Sequence, residues 1–218
     1  PLGIAFYMFD EYSVKALLEA GADVNLKTTA ENTALGEILG YMKDNYFSFD
    51  KIPLIEKLLK LLVDNGLKIN DTVDSKENTA FIKACKSIDE NNLSNGKTLA
   101  AVVAKFLLKE NCDVNLTNLD GQTALMFLCA SRDVESQDLQ IQVLEAGADI
   151  EVTDKNGNTP LIYAAKNRNA SIGKEMAELL FDFGDPKLGH VNNEGKTALE
   201  IATDLNNEEF VKFLLIKM

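Results

Sequence analysis

His190 is the only histidine in the 218-residue chain, and the acidic residue that shares its loop is Asp185. A catalytic imidazole needs a companion within hydrogen-bonding reach, and a metal site needs further ligands at set spacing. No second imidazole exists to supply either. Cys85, Cys112 and Cys129 are an odd number with no CxxC pair, which fits neither a disulfide framework nor a zinc site. They read as small core residues kept reduced. The phosphate-cradling GxxxxGK[ST] and GxGxxG motifs, the metal-binding HExxH and the nucleophile motif GxSxG are all missing. Asp and Glu are abundant but scatter as solvated faces do. The expectation is therefore a chain that is not an enzyme, with no catalytic residue, no cofactor and no metal.

What remains is binding, and charge narrows it. The formal net charge is −12 and the sequence pI about 4.6. Such a surface repels phosphate backbones and anionic lipid, so no nucleic-acid partner is expected. No apolar run approaches the ~18 residues that span a bilayer, so membrane insertion is not expected either. The expected partner is a protein, the expected state a monomer and the expected compartment the cytoplasm.

One stretch stands apart. "GYMKDNYFSFDKIP", residues 40–53, holds Tyr41, Tyr46, Phe47 and Phe49, in a chain without tryptophan. Fully buried rings hide about 150 Å² each or more. Four exposed rings would make a patch of up to about 600 Å², at the upper end of what a monomer normally shows.

The elements that must position any binding residue are legible as repeats. "NTAL" at 32–35 returns as "NTAF" at 78–81, "QTAL" at 122–125, "NTPL" at 158–161 and "KTAL" at 196–199. A second phrase alternates with it: "LLEAGADVN" at 17–25, "LLVDNGLKIN" at 61–70, "LLKENCDVN" at 107–115, "VLEAGADI" at 143–150 and "LLFDFGD" at 179–185. Each Thr phrase opens a first helix, with Pro160 where its missing N–H costs nothing. A Leu-rich second helix follows, and Gly21, Gly66, Gly147 and Gly184 are expected to end it in the left-handed conformation. Asn- and Gly-rich stretches such as "DKNGN" at 154–158 form hairpin tips leading into the next unit.

These phrases resemble ankyrin repeats along essentially the whole chain. The resemblance implies a mainly α fold: an α-solenoid of helix-turn-helix units with β-hairpin-like loops, about six repeats in one domain over 1–218. The units are expected near 1–28 (partial), 29–74, 75–118, 119–154, 155–192 and 193–218. Successive threonines lie 46, 44, 36 and 38 residues apart, against the family's usual unit of about 33. The extra residues fall between the two helices of a unit. In the second unit, Leu35, Ile38, Leu39, Met42 and Tyr46 keep helical spacing, so the first helix is expected to run past its usual end. Pro53 suits the first turn of an early second helix. In the third, "SIDENNLSNGK" at 87–97 reads as a polar loop. Aligning Gly21 with the later glycines puts the opening Thr before Pro1, so further chain is expected upstream.

The family often carries a His three residues after the Thr. Here Gly36, Ile82, Met126, Ile162 and Glu200 stand there, which removes a Thr–His hydrogen bond and implies more reliance on packing. Asn25, Asn70 and Asn115 are expected to tie down the loop after each second helix.

The resemblance also implies a concave binding surface of hairpin tips and first helices. Carried over unit by unit, the candidate contacts at the tips are Lys76, Asn78, Leu119, Asp120, Gln122, Lys155, Asn156, Asn158, Asn193 and Glu194. Lys86 and Lys166 join them at the ends of first helices. Tyr41, Tyr46, Phe47 and Phe49 join from the insertion, where two readings stand: rings packed on the stack, or a hot spot for a partner. The function implied is non-catalytic protein binding. Two alternatives are a secreted effector or immunity-type inhibitor that turns its acidity on a basic target, and the regulatory arm of a larger enzyme.

Overall fold

The computed structural model describes residues 1–41, 51–90, 99–132 and 135–218. Among them there are helices and turns but no strand, only an isolated bridge between Thr72 and Thr79. The residues group into two compact units, Pro1–Asp113 and Val114–Met218.

The first unit contains α1 (Leu2–Tyr7), α2 (Glu11–Glu19), α3 (Ala34–Tyr41), α4 (Ile52–Asp64), α5 (Ala80–Glu90) and α6 (Leu99–Lys109). They form two layers: α1, α3 and α5 lie side by side, as do α2, α4 and α6. Leu35, Ile38 and Leu39 of α3 and Ile55, Leu58, Leu59 and Leu62 of α4 are buried between the layers. Helical spacing of these apolar residues creates the buried stripe. Pro53 sits in the first turn of α4, as its fixed φ favours. The extension of the first helix through Met42 and Tyr46 lies outside the described residues.

The polar-loop expectation for 87–97 needs correction. Residues 87–90 complete α5, and 91–97 lie outside the described residues. Ile88 is buried one turn beyond Ala84, and the Ser87 hydroxyl donates to the Lys83 carbonyl at 2.9 Å. Burial of Ile88 and the Ser87 hydroxyl bond carry the helix through this polar stretch.

The second unit contains α7 (Ala124–Ala130), α8 (Glu135–Glu145), α9 (Pro160–Ala165), α10 (Ala170–Phe183), α11 (Ala198–Asp204) and α12 (Glu208–Lys217). Here α7, α9 and α11 make one layer and α8, α10 and α12 the other. Leu125, Leu128, Leu139, Val143, Leu161, Met176, Leu180 and Phe210 fill the space between. No described helix in either unit is long and apolar enough to cross a membrane.

Threonine starts the first helices by capping. The hydroxyls of Thr33, Thr79, Thr123, Thr159 and Thr197 accept from the backbone N–H three residues on, at 3.1–3.4 Å. The residues in the family's His position thus still engage the Thr, through the main chain. Glu200 goes further: its carboxylate accepts from the Thr197 N–H at 2.7 Å, completing a reciprocal capping box.

Gly36 holds that position for a steric reason. A Cβ there would lie 2.2 Å from the Val73 carbonyl oxygen, which accepts from the Thr33 N–H at 3.1 Å. Gly36→Ala should therefore displace the 72–79 hairpin and cost about 1–3 kcal/mol in urea unfolding. Gly40→Ala in the same helix meets nothing nearer than the Lys83 ammonium at 3.8 Å and should be neutral or stabilising. Equal midpoints for the two variants would refute the close approach.

The second helices end as expected at Gly21, Gly66 and Gly147, with φ of +83°, +86° and +86°. Asn111 takes the fourth left-handed position at +58°. Gly184 departs from the expectation: its backbone is extended, with φ −171° and ψ −165°. The restriction that Pro186 imposes falls on Asp185, the residue before it, whereas Gly184 itself is closely approached: a Cβ there would lie 2.5 Å from Ile150 Cδ1.

Candidate functional site

The hairpin tips are built on one device. In the second unit, Asn118, Asp154 and Asn192 are buried at the base of each tip. The Oδ1 of each accepts two backbone N–H bonds, from the residues two and four positions on. The donors are Asp120 and Gln122 at 3.0 Å, Asn156 and Asn158 at 2.9 and 2.8 Å, and Glu194 and Lys196 at 3.0 and 3.1 Å. These side-chain bonds add to the main-chain bonds that close each tip, Asn118 N–H to Gln122 O, Asp154 N–H to Asn158 O and Asn192 N–H to Lys196 O at 3.0–3.1 Å. Main-chain bonds then join tip to tip: Lys155 N–H to Asp120 O and Asn193 N–H to Asn156 O, both 2.9 Å. In the first unit Asp74 plays the same part toward Lys76 and Asn78, at 3.1 Å each.

A buried polar network underlies the tips of the second unit. The Tyr163 hydroxyl donates to Asp154 Oδ2 at 2.8 Å and accepts from Gln122 Nε2 at 2.7 Å. Asn158 Nδ2 also donates to Asp154, while Asn158 Oδ1 accepts from Lys166 Nζ at 2.9 Å and Asn192 Nδ2 at 3.0 Å. Burial alone would raise the Asp154 carboxyl. The donors from Asn158, Tyr163 and Asn156 outweigh it and hold Asp154 below the usual carboxylate range. Burial, and then the Asp154 carboxylate, push the Tyr163 phenol up. In the first unit Lys83 replaces the tyrosine nine residues after the acid, forming a mostly buried ion pair with Asp74 at 3.3 Å. Burial again opposes ionisation of Asp74, and bonds from Asn78 and the Lys83 charge prevail.

The sequence-predicted tip residues therefore divide. Lys76, Leu119, Asp120, Lys155, Asn156, Asn193 and Glu194 are exposed. Lys166 is exposed as well, although its ammonium is tied to Asn158. Lys86 is half-buried. Asn78 and Asn158 are corrected: both are buried, at 2% and 4% exposure, and both spend their amides on the acid at the tip's base. Gln122 is half-buried between Asn118 and Tyr163. Tyr46, Phe47, Phe49 and the ring of Tyr41 lie outside the described residues. Asp74, Lys83, Asp154, Tyr163 and Asn192 were missed. The recurrence of Asp or Asn four residues before 78, 122, 158 and 196 was the signal that could have found the acids and Asn192.

The DVN asparagines do more than hold their own loops. Asn25 Nδ2 donates to Gly66 O at 2.8 Å and its Oδ1 accepts from Lys68 N–H at 2.9 Å, one helix pair further on. Asn70 accepts from Asp113 N–H at 2.9 Å, and Asn115 from Asp149 N–H at 2.8 Å. Glu151 takes the next rung, accepting from Lys187 N–H at 3.0 Å with an ion pair to its ammonium at 3.4 Å.

The residues first weighed for chemistry are occupied by structure. His190 Nε2 donates to Gly157 O at 2.8 Å, bracing a tip. Cys85, Cys112 and Cys129 are free and buried. Burial raises all three thiols, Cys112 to about 12, which suppresses the reactive thiolate. Among the described residues no group of three or more His, Cys, Asp and Glu is placed to hold a metal.

The family model for ankyrin repeats (three copies) matches residues 94–172 and 134–218. An ankyrin repeat protein of Acanthamoeba polyphaga mimivirus is 29% identical over 185 residues, covering 70% of this chain and 42% of the relative. The tyrosine-protein kinase HTK16 of Hydra vulgaris is 29% identical over 190 residues, covering 79% of this chain. The chain spans less than half the length of either, 23% in the case of the kinase. An ankyrin repeat domain from Acinetobacter baumannii AYE superposes with a TM-score of 0.76 at 19% identity, covering 100% of this chain and 97% of that one. With its Thr-capped first helices, glycine-ended second helices and bracketed hairpin tips, the chain belongs to the ankyrin repeat family, whose repeats are generally protein–protein interaction modules.

Proposed function

We propose that this chain is a non-catalytic binding module that holds a protein partner on the face of hairpin tips and first helices. A reducing, cytoplasmic setting suits its three buried, unpaired thiols. The observation that carries the reading is the division within each tip. A buried Asp or Asn fixes the backbone, while Leu119, Lys155, Asn156 and Glu194 project from a frame already ordered, and Asn193 is exposed but ties its amide to the Lys155 carbonyl at 2.9 Å. A partner meeting such residues has little loop to order, and that cost weighs against most loop-based binding.

Charge bears on the choice of partner. The tips, first helices and the turns after them in the second unit set Arg132, Lys155, Lys166, Arg168 and Lys196 against Asp120, Asp133, Asp154, Glu194, Glu200 and Asp204, close to balance. The second helices and the loops after them hold the acidic excess, as at Asp138, Glu145, Asp149, Glu175, Glu178 and Asp182. An inhibitor using acidity against a basic target would meet it on that other side, so the tip face does not favour that reading. The regulatory-arm reading draws on the Hydra kinase, of which the chain spans 23%. On it, the same face would contact the enzyme's own domains.

The test is a selection of peptides from a displayed random library against the folded chain. Leu119→Asp, Lys155→Glu and Glu194→Lys combined should weaken the selected binders at least about tenfold with the melting temperature unchanged. Lys174→Glu on α10 should leave them unaffected. Binders indifferent to the triple variant would refute the reading.

A further inference from the structure

Each hairpin tip of the second unit has an outer edge, and at 155–157 that edge is covered. Three consecutive carbonyls there accept from the segment 190–193. Lys155 O takes the Asn193 side-chain amide at 2.9 Å, Asn156 O the Asn193 N–H at 2.9 Å and Gly157 O the His190 Nε2 at 2.8 Å. Gly157 lets that segment come so near: a Cβ on it would lie 2.8 Å from Asn193 Oδ1 and 3.1 Å from Asn193 N. One tip earlier, a Cβ on Gly121 would lie 3.2 Å from Lys155 N. Gly195 repeats the conformation, with φ +72° against +74° and +75°, yet a Cβ there would meet nothing within 4 Å. Among the described residues none donates to the carbonyls of Asn193, Glu194 or Gly195. A helix surface of the same repeat is bare as well. Met176 and Leu180 of α10 correspond to Phe210 and Leu214 of α12, 34 residues on, and all four are buried. By the same count Phe181, whose ring meets Phe213, corresponds to Leu215, which is 55% exposed. Both surfaces that the segment 190–213 covers one repeat earlier are thus uncovered here.

We propose that the edge of the tip at 192–196 is a docking site for a protein partner bearing an Asn-containing hairpin turn, whose main-chain N–H and carboxamide take the Asn193–Gly195 carbonyls. Continuity with the covered edge carries this. Tip on tip is a contact the fold already makes, and 193–195 offers it again on a turn held by the Asn192 side chain. Carbonyls accept and do not donate, so three in a row select a donor-rich ligand and reject a carboxylate. The exposed Glu194 carboxylate adds to that preference. Main-chain bonds supply affinity in such edge contacts, and side chains supply specificity. The turn recognised is of the kind His-x-Asn-Asn, because that sequence at 190–193 fills all three carbonyls at 155–157. One tip earlier Val152 and Lys155 stand in those places, and the main-chain bond to Asp120 O is kept. The bare Leu215 on the same flank makes the occupant a protein rather than a free amide or imidazole. The frame is ordered before binding, which matters because a solvated carbonyl yields only a small surplus on changing partners. The site uses main-chain atoms at the edge of one tip, not the side chains of the face proposed above, and stands or falls apart from it.

The experiment titrates the isotope-labelled intact chain with a disulfide-closed Cys-Gly-His-Val-Asn-Asn-Glu-Gly-Lys-Cys peptide and follows the amide NMR shifts. The amides of Glu194, Gly195 and Lys196 should move, while those of Asn156–Asn158, whose edge is already covered, should not. Replacing the second Asn of the peptide by Asp should weaken binding at least about threefold, because a donor is lost and a carboxylate faces carbonyls. Replacing its His by Ala should weaken it about threefold. Gly195→Asn tolerates a positive φ and lays a side chain over the edge, so it should abolish the shifts with the melting temperature unchanged. If that variant melts early, the peptide series decides. Absent shifts, equal binding of the Asp peptide, binding kept by a folded Gly195→Asn chain, or the same shifts from acetamide alone would overturn the proposal. So would concentration-dependent shifts of these amides without peptide, which would assign the edge to a second copy of the chain.

Discussion

Asp154→Ala is expected to destabilise the second unit by about 3–4 kcal/mol, measured by urea unfolding. The carboxylate accepts from two backbone N–H groups, the Asn158 amide and the Tyr163 hydroxyl. Each buried donor left without an acceptor costs about 1–3 kcal/mol, less where water enters. Asp154→Asn should cost only about 1 kcal/mol. Asn118 and Asn192 already occupy the same tip position and hold their turns through one oxygen. A cost of Asp154→Ala no larger than that of Asp154→Asn would show that the network does not hold the tip.

The pH dependence follows from the same bonds. Asp154 and Asp74 ionise more readily folded than unfolded, so their contribution is complete above the unfolded value of about 3.9. It is lost as pH falls through the lower folded values. Unfolding midpoints should therefore drop on acidification below about pH 4, and less steeply for Asp154→Asn. Parallel acid profiles for the two proteins would contradict the assigned cause.

Phe210→Ala is expected to cost about 3–5 kcal/mol, the range for removing a fully buried ring. Phe210 is 0% exposed, and its N–H is held by the Asn207 cap at 3.0 Å. Its ring meets Phe213 edge-on at 6.1 Å, and Phe213 meets Phe181 at 5.6 Å. Lys217 lies over the Phe181 and Phe213 rings at 5.0 and 5.7 Å. Removing Phe210 takes away the one ring of the cluster with no access to water, so α12 should exchange its amide hydrogens first. Uniform exchange across α7–α12 would instead mark the unit as one cooperative block.

How far the site was legible depended on whether a residue's neighbours were sequence neighbours. Thr159 and Pro160 announce a helix start because capping acts over three residues. Gly147 announces a helix end because only its own φ is at stake. Asn158 could not be placed the same way. Its exposure depends on Lys166 and Asn192, eight and 34 residues away, and it left the candidate surface once they were seen to fill its hydrogen bonds. Gly184 departed from the glycine rule with an extended backbone, and the side chain that approaches it most closely, Ile150, lies 34 residues away.

The sequence by itself determined the repeat, the order of helices, the caps and which residues lie at hairpin tips, because each is a local rule repeated in register. Only the tertiary structure decided which tip residues are buttress and which are surface. It also set the asparagine rungs between successive helix pairs. The rungs rest on hydrogen bonds between residues about one repeat apart and the buttresses on bonds both within a tip and to the next one, and a periodicity shows that such residues correspond without showing which atoms meet.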